Sequence, residues 1–135
     1  MIGVALLGAT GSIGASTLGV LRQHRDRFRL VALAVRSNWE GLLPIIAEFE
    51  PEICAVEDEQ AALALSAAMS RHHSQIAVVS GRDAATTAAT WAGASIVVAG
   101  ISGFAGLPAT WAAVAAGRQV LLANKEALVA SGTLL

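Results

Sequence analysis

The sequence predicts an α/β fold, a doubly wound and mostly parallel sheet with helices on both faces. Short and nearly continuous apolar runs alternate with helical patterns along the chain, as expected for parallel strands that are covered on both sides. The connections between them are short, which favours right-handed crossovers. Because no linker, low-complexity segment or repeat interrupts the sequence, we expect a single domain over residues 1–135.

Six apolar runs are predicted strands, and five segments between them are predicted helices. The predicted strands cover residues 3–7, 30–35, 53–56, 76–79, 96–99 and 120–123. The predicted helices cover residues 12–23, 39–49, 59–70, 84–91 and 108–116. Each run has the length and composition typical of its class, with β-branched residues in the strands and alanine in the helices.

Local signals support these elements in chain order. Pro44 falls inside the second helix, and it should either delay the helix start to about residue 43 or kink the helix. Asp58 and Asp83 are suited to cap the amino ends of the third and fourth helices. Gly93 and Gly117 are suited to end the fourth and fifth helices.

The composition limits the classes of partner. Hydrophobic residues make up 55% of the chain and charged residues 14%, so part of the apolar surplus should contact another domain or subunit. The net charge of −1 gives no electrostatic case for nucleic acid or an anionic membrane. A single cysteine, Cys54, cannot form an internal disulfide, and the start has no signal peptide, so we expect a cytoplasmic protein.

A long uncharged stretch lies between Asp83 and Arg118, and its length exceeds the roughly 20 residues of a membrane-spanning helix. Several glycines and Pro108 interrupt it, and a β-branched run gives way to an alanine-rich one. This order indicates a buried strand, a glycine loop and a helix, so we expect no membrane span.

The glycine-rich run Gly-Ala-Thr-Gly-Ser-Ile-Gly at residues 8–14 follows the first strand directly and leads into a helical pattern. One glycine permits a tight turn, another lets the backbone approach a pyrophosphate, and a third lets helix and strand pack closely. The free N–H groups at the helix start then face the phosphates. The run predicts a Rossmann-like dinucleotide site; the alternative is that the glycines only shape a turn.

The end of the second strand indicates which dinucleotide is bound. Sites for NAD usually carry Asp or Glu there, whereas this chain has Arg36-Ser37-Asn38. Arginine offers charge and a planar fork to a 2′-phosphate, and Ser37 and Asn38 offer hydrogen bonds, so we predict NADP(H). The alternative is that Arg36 is an ordinary surface side chain.

Two further segments follow predicted strands at the edge where open parallel sheets bind ligands. Lys125, the only lysine in the chain, stands in Asn124-Lys125-Glu126 after the sixth strand. This tripeptide is either a binding segment or a polar helix cap with an incidental lysine. The glycine cluster of residues 100–106 after the fifth strand is either a binding loop or a helix lead-in.

Taken together, the residues resemble the 1-deoxy-D-xylulose 5-phosphate reductoisomerase family. The resemblance rests on residues 8–18 (GATGSIGASTL), the second strand Val31-Ala32-Leu33 and residues 121–129 (LLANKEALV), with support from the Gly103-x-x-Gly106-Leu107 loop. That family isomerises 1-deoxy-D-xylulose 5-phosphate and reduces it with NADPH to 2-C-methyl-D-erythritol 4-phosphate, in non-mevalonate isoprenoid biosynthesis.

The resemblance implies roles for individual residues. It implies cofactor contacts at the glycine turn, at the end of the second strand and beside the lysine, and a contact between Lys125 and the phosphorylated sugar substrate. The implied cofactor contacts are Gly8, Thr10, Gly11, Ser12, Ile13, Arg36, Ser37, Asn38, Asn124 and Glu126. The family often has Gly-Lys-Asn where this chain has Arg36-Ser37-Asn38, so the positive charge is displaced by one residue.

The family also uses a divalent metal, Mg or Mn, held by an aspartate and glutamates further along the chain. No residue after Glu126 is acidic, so we expect no metal ligand and no catalytic residue in this chain. The three histidines, His24, His72 and His73, are expected to be surface residues, with the adjacent pair on different sides of its helix.

Residues 127–135 carry no charge and no helix stop signal, so we expect a fragment of a longer enzyme, inactive alone and homodimeric at full length. The alternatives are an atypical short-chain reductase, a semialdehyde-dehydrogenase-like enzyme and a stand-alone NADP(H)-binding sensor. The first would need a Tyr-x-x-x-Lys pair, but the chain has no tyrosine. The second would need a catalytic cysteine further along the chain than Cys54.

Overall fold

The structure, a computed structural model, describes residues 1–69, 71–101 and 106–122. The described strands, β1 to β6, are Ile2–Leu7, Phe28–Val35, Ile53–Val56, Ala77–Ser80, Ile96–Ala99 and Gln119–Leu122. The described helices, α1 to α5, are Ser12–Gln23, Leu42–Phe49, Glu59–Ala68, Ala84–Ala89 and Leu107–Ala115. Every predicted strand and helix is therefore confirmed, with shifts at the ends.

The described strands form one sheet in the order β4-β3-β2-β1-β5-β6, and every neighbouring pair is parallel. The winding runs outward from β1 to β4 on one side and continues on the other side with β5 and β6. The direction of winding therefore switches between β1 and β5, and the crevice beyond their carboxyl ends is where doubly wound sheets bind ligands.

The core has two halves, one on each face of the sheet. Buried side chains of α1, α2 and α3, among them Leu18, Ile46 and Leu65, pack with alternate strand residues in one cluster. The other cluster contains buried alanines of α4 and α5, including Ala88 and Ala113, which let these helices lie close to the sheet. Helices therefore cover both faces, as the apolar strand sequences predict.

The predicted helix starts are partly confirmed. Asp58 caps α3, since its side-chain oxygen accepts a hydrogen bond of 2.9 Å from the Ala61 N–H. Asp83 occupies the N-cap position of α4, but its side chain makes no capping bond. The second helix begins at Leu42 rather than at residue 39, and Pro44 lies in its first turn, where a missing N–H breaks no helical bond.

The predicted helix ends are also partly confirmed. Gly117 follows α5 with φ 78°, and its N–H donates to the Val114 oxygen at 3.0 Å, the pairing of a glycine stop. The prediction for Gly93 was wrong. The fourth helix ends at Ala89 with Thr90 as its C-cap, because Trp91 already donates to the Ala88 oxygen in a tighter turn.

The structure places the single cysteine and the adjacent histidines. Cys54 is fully buried in β3, and burial raises the pKa of its thiol to about 12, which makes it an unreactive core residue. His72 and His73 do not sit on different sides of a helix. They lie in a short 3₁₀ turn, Arg71–His73, after α3, and their ring centroids are 5.2 Å apart.

Within the described ranges no helix has the length and apolarity needed to span a membrane.

Candidate functional site

The glycine-rich turn connects β1 to α1 and is tied to the neighbouring strand. Gly8 has φ 81°, a backbone conformation that other residues adopt only with strain. The N–H groups of Gly8 and Ala9 both donate to the Ala34 oxygen of β2, at 2.8 and 3.2 Å. The turn is therefore held at the carboxyl edge of the sheet by backbone contacts alone.

Beyond the turn, α1 begins with amides that have no hydrogen-bond partner within the described part of the chain. Gly11 is its N-cap and has no side chain to satisfy them, and the first bond along the helix runs from the Ala15 N–H to the Gly11 oxygen at 3.0 Å. The amides of residues 12 to 14 therefore precede the helical ladder. Together with the helix dipole they form an anion-binding helix start.

The other two glycines of the turn have different surroundings. A Cβ on Gly14 would lie 2.2 Å from the Ala9 oxygen, so only glycine lets the helix pack this closely on the turn. Among the described residues, a Cβ on Gly11 would have a single neighbour, the Gly8 oxygen at 3.6 Å, so no described atom fills the space above Gly11. A pyrophosphate could approach the backbone at Gly11, and a side chain there would occupy part of that space.

A cleft of about 510 Å³ opens beside the turn, along the carboxyl ends of five strands. Its polar walls come from Thr10 after β1, Arg36 after β2, Glu57 after β3, and Arg82, Asp83 and Thr86 in the segment after β4. Ile101, which follows β5, adds an apolar wall. The cleft thus carries two arginines and two carboxylates among its lining residues, a balanced set suited to a ligand with both phosphates and hydroxyl groups.

Arg36 is fixed in its backbone and exposed in its side chain. The Asp58 N–H donates to the Arg36 oxygen at 2.9 Å, which anchors the position at the end of β2. Its guanidinium takes part in none of the ion pairs found among the described residues. Because the backbone is anchored and the guanidinium forms no described ion pair, the Arg36 side chain can reach a phosphate in the cleft.

Asn38 serves the fold as well as the candidate site. Its side-chain oxygen accepts a hydrogen bond of 3.2 Å from the Gly41 N–H, which organises the approach to α2. A Cβ on Gly41 would lie 2.8 Å from both the Asn38 amide nitrogen and Thr10 Cγ2, so these two side chains flank Gly41. Asn38 can therefore offer a ligand its NH₂ donors, while its oxygen is already used.

The end of β5 packs directly against the glycine turn. The Gly100 N–H donates to the Leu7 oxygen at 2.8 Å, and a Cβ on Gly100 would lie 2.9 Å from that oxygen and 3.2 Å from Ile13 Cγ2. Gly106 is the N-cap of α5 and lies beneath the Ile101 side chain. The described part of this glycine cluster therefore both lines the cleft and leads into a helix.

The structure brings together part of the predicted site. Gly8, Thr10 and Arg36 line one cleft, and Gly11, Ser12 and Ile13 are exposed at the helix start beside it. Ser37 and Asn38 are exposed next to Arg36. The predicted contacts Asn124, Lys125 and Glu126, like residues 102–105 of the glycine cluster, lie outside the described residues.

Four polar residues of the cleft are not among the predicted site residues: Glu57, Arg82, Thr86 and Asp83, the last of which was predicted only as a helix cap. Each belongs to a segment that follows the third or fourth strand at the same edge of the sheet. The rule that ligands bind beyond the carboxyl ends of parallel strands, applied to every strand, could have found them.

Comparisons with known proteins agree on one family. Residues 4–132 match the family model described as 1-deoxy-D-xylulose 5-phosphate reductoisomerase. The chain is 46% identical over 134 residues to the 1-deoxy-D-xylulose 5-phosphate reductoisomerase of Thermomicrobium roseum, covering 99% of this chain and 33% of that protein. It is 44% identical over 135 residues to that of Chlorobium chlorochromatii, covering 100% of this chain and 35% of the relative.

Solved structures show the same likeness. A crystal structure of DOX-P reductoisomerase in complex with NADPH, fosmidomycin and magnesium superposes with a TM-score of 0.90 at 39% identity, covering 98% of this chain and 32% of that one. The 1-deoxy-D-xylulose 5-phosphate reductoisomerase of Zymomonas mobilis in complex with NADPH gives a TM-score of 0.88 at 38% identity, covering 98% and 34%. The chain thus spans about a third of the length of the relatives it matches.

Proposed function

The chain belongs to the 1-deoxy-D-xylulose 5-phosphate reductoisomerase family, and on that premise we propose that residues 1–135 form the NADPH-binding domain of such an enzyme. The enzyme would convert 1-deoxy-D-xylulose 5-phosphate to 2-C-methyl-D-erythritol 4-phosphate, in the cytoplasm and as a homodimer. The relatives favour this function over a stand-alone NADP(H)-binding sensor or a short-chain reductase, since those described above carry the reductoisomerase name.

The glycine turn is the observation that carries the proposal. Within the described residues, it presents uncovered backbone at Gly11 and the partnerless first amides of the 12-residue helix α1, where the pyrophosphate of NADPH would bind. Solved relatives of the same fold hold NADPH, at TM-scores of 0.90 and 0.88. We therefore assign Gly8, Thr10, Gly11, Ser12 and Ile13 to the turn that holds the pyrophosphate.

The 2′-phosphate of NADPH would bind at the end of β2. Arg36 supplies the charge, Asn38 supplies its amide donors, and Ser37 supplies a hydroxyl, all exposed beside the cleft. The phosphate distinguishes NADPH from NADH, so this segment sets the cofactor preference. When bound, NADPH would supply the hydride for the reduction.

The remaining assignments extend the proposal to the substrate. We assign Asn124 and Glu126 to the cofactor and Lys125 to the phosphorylated sugar, whose negative charge a lysine would stabilise. A divalent metal, Mg or Mn, would bind ligands in the part of such an enzyme that corresponds to the other two thirds of the relatives. No group of this chain is assigned to it.

The cofactor preference tests the proposal. We expect Arg36→Ala to weaken NADPH binding at least about tenfold while changing NADH binding less than about twofold, because only NADPH carries the 2′-phosphate. Fluorescence titration with both cofactors would measure this. The matched control is Arg27→Ala, an exposed arginine next to the opposite end of β2.

The control separates a local contact from general electrostatics. We expect Arg27→Ala to bind both cofactors like the parent chain. Equal losses for NADPH and NADH in Arg36→Ala would refute the 2′-phosphate role. A parent chain that binds neither cofactor would refute the domain assignment itself.

A further inference from the structure

Two histidines and a carboxylate converge at the edge of the sheet opposite the cleft. Glu50 lies just before β3, and the 3₁₀ turn with His72 and His73 lies just before β4, so both are at the amino ends of neighbouring parallel strands. One ligand atom from each of the three side chains lies within 4.8 Å of the others. Such a grouping of imidazole nitrogens and a carboxylate oxygen is the donor set of a transition-metal site.

The backbone positions of the three residues are fixed by hydrogen bonds. Glu50 ends α2 in a left-handed conformation, φ 47° and ψ 64°, and its N–H donates to the Ile46 oxygen at 3.0 Å. The histidine turn is closed by bonds from the Ser74 and Ile76 N–H groups to the oxygens of Arg71 and His73, at 3.2 and 3.1 Å. The cluster therefore links two anchored connections rather than two loose loops.

The side chains can adjust where the backbone cannot. Glu50 and His72 are exposed and His73 is half-buried. With zinc–ligand distances of about 2.0–2.2 Å, the ligand atoms of a tetrahedral site lie about 3.4 Å apart, so separations that are all within 4.8 Å need to shorten by at most about 1.4 Å. Rotation about the side-chain torsions of exposed residues supplies a movement of that size.

The surrounding charges favour Glu50 as the acidic ligand. The nearby carboxylate of Glu52 is already bound to the guanidinium of Arg29 at 2.6 Å and to the indole N–H of Trp91 at 2.8 Å. Glu50 takes part in none of the ion pairs found among the described residues. Arg71 is exposed next to the histidines and can turn its charge toward solvent.

We propose that Glu50, His72 and His73 form a binding site for a divalent transition metal of the zinc class. The site lies at the amino edge of the sheet, so it is separate from the proposed cofactor cleft. Two imidazole nitrogens and one carboxylate select zinc, nickel or copper over magnesium, which requires oxygen ligands. The bound ion would join the connection before β3 to the connection before β4 and stabilise that side of the sheet.

Zinc titration of the chain without an affinity tag tests the proposal. We expect isothermal calorimetry to give one zinc ion per chain, no binding of magnesium at the same concentration, and a rise in Tm of about 5 °C with zinc in excess. His73→Ala should lose at least about tenfold in zinc affinity, and Glu50→Gln should lose less but measurably.

The matched control is His24→Ala, which removes an exposed histidine at the end of α1. We expect it to bind zinc like the parent chain. Equal zinc affinity in His24→Ala and His73→Ala, or a parent chain that binds no zinc, would overturn the proposal. NADPH binding of each variant, measured beside the zinc titration, should be unchanged, which also shows that the variant is folded.

Discussion

We expect Arg82, a second arginine of the cleft, to act on the cofactor differently from the direct contact proposed for Arg36. Arg82 lines the cleft from the segment after β4, two strands away from β2, and it is exposed like Arg36. The carboxylates of Glu57 and Asp83 line the same cleft and offset part of its charge. An exposed cation at that distance acts on a phosphate through solvent, where salt screens it.

We therefore expect Arg82→Ala to weaken NADPH binding by about two- to fivefold at low salt and not at all in 0.5 M NaCl. The loss in Arg36→Ala should persist at high salt, because a direct contact excludes the screening ions. Fluorescence titration at two salt concentrations measures both. A salt-independent loss in Arg82→Ala would show direct contact with the cofactor instead.

Single residues differ in how far the sequence determines their roles. The roles of Gly8 and Gly14 could be predicted because they depend on local geometry. Gly8 adopts the left-handed conformation of the turn, and Gly14 allows the helix to pack closely. The carboxyl-end rule places Arg82 at the same edge of the sheet as Arg36, but that the two line one cleft is seen only in the structure. Asn38 is a predicted ligand contact, but its side-chain oxygen already accepts a hydrogen bond from the Gly41 N–H. The residue type alone does not show that this local bond competes with a ligand.

At the scale of elements, α1 offers a comparison of two glycines in one helix. A Cβ on Gly14 would lie 2.2 Å from the Ala9 oxygen, whereas a Cβ on Gly19 would meet no atom of the described residues within 4 Å. Backbone oxygen cannot move aside without displacing the turn. At Gly19, alanine would only reduce the freedom of the unfolded chain and improve helix propensity.

We expect Gly14→Ala to lower the free energy of unfolding by about 2 kcal/mol or more, and Gly19→Ala to raise it by about 0.5–1 kcal/mol. Urea denaturation followed by circular dichroism measures both. Gly14→Ala should also weaken NADPH binding, since it displaces the turn. Stability equal to that of the parent chain in Gly14→Ala would contradict the close packing described for this glycine.

The elements themselves follow from the sequence more closely than their ends do. Apolar runs of the right length predicted every described strand within two residues at each end, because a strand buried on both faces needs continuous apolar sequence. Ends depend on weaker and competing signals. The predicted fourth helix extends to Trp91, but α4 ends at Ala89, and the Trp91 indole N–H donates to the Glu52 carboxylate at 2.8 Å at the amino edge of the sheet.

At the scale of the whole molecule, two surface carboxylates join distant segments. Glu48 of α2 accepts hydrogen bonds from Arg22 of α1 at 2.7 Å and from Arg25 at 3.0 Å. Glu52 joins Arg29 and Trp91, and so links the starts of β2 and β3 to the turn after α4. The hydrogen bond from Arg22 lowers the pKa of Glu48, and those from Trp91 and Arg29 lower the pKa of Glu52.

Because these pKa values are lowered in the folded chain, the free energy of unfolding depends on pH. In the unfolded chain both carboxyls take up protons near the ordinary pKa of 4.5, but in the folded chain they do so only at lower pH. Their contribution to stability is therefore complete above about pH 5 and is lost as the pH falls through the pKa values of the folded state.

The Glu52 side chain is partly exposed, so we expect it to contribute about 0.5–1 kcal/mol to the free energy of unfolding. Glu52→Gln should destabilise by that amount at pH 7 and by progressively less as the pH falls from about 5 toward 3, whereas Glu40→Gln, at an exposed glutamate without a described ion pair, should have no effect at any of these pH values. Urea denaturation across this pH range measures the difference, and a constant gap between Glu52→Gln and the parent chain would contradict the linkage.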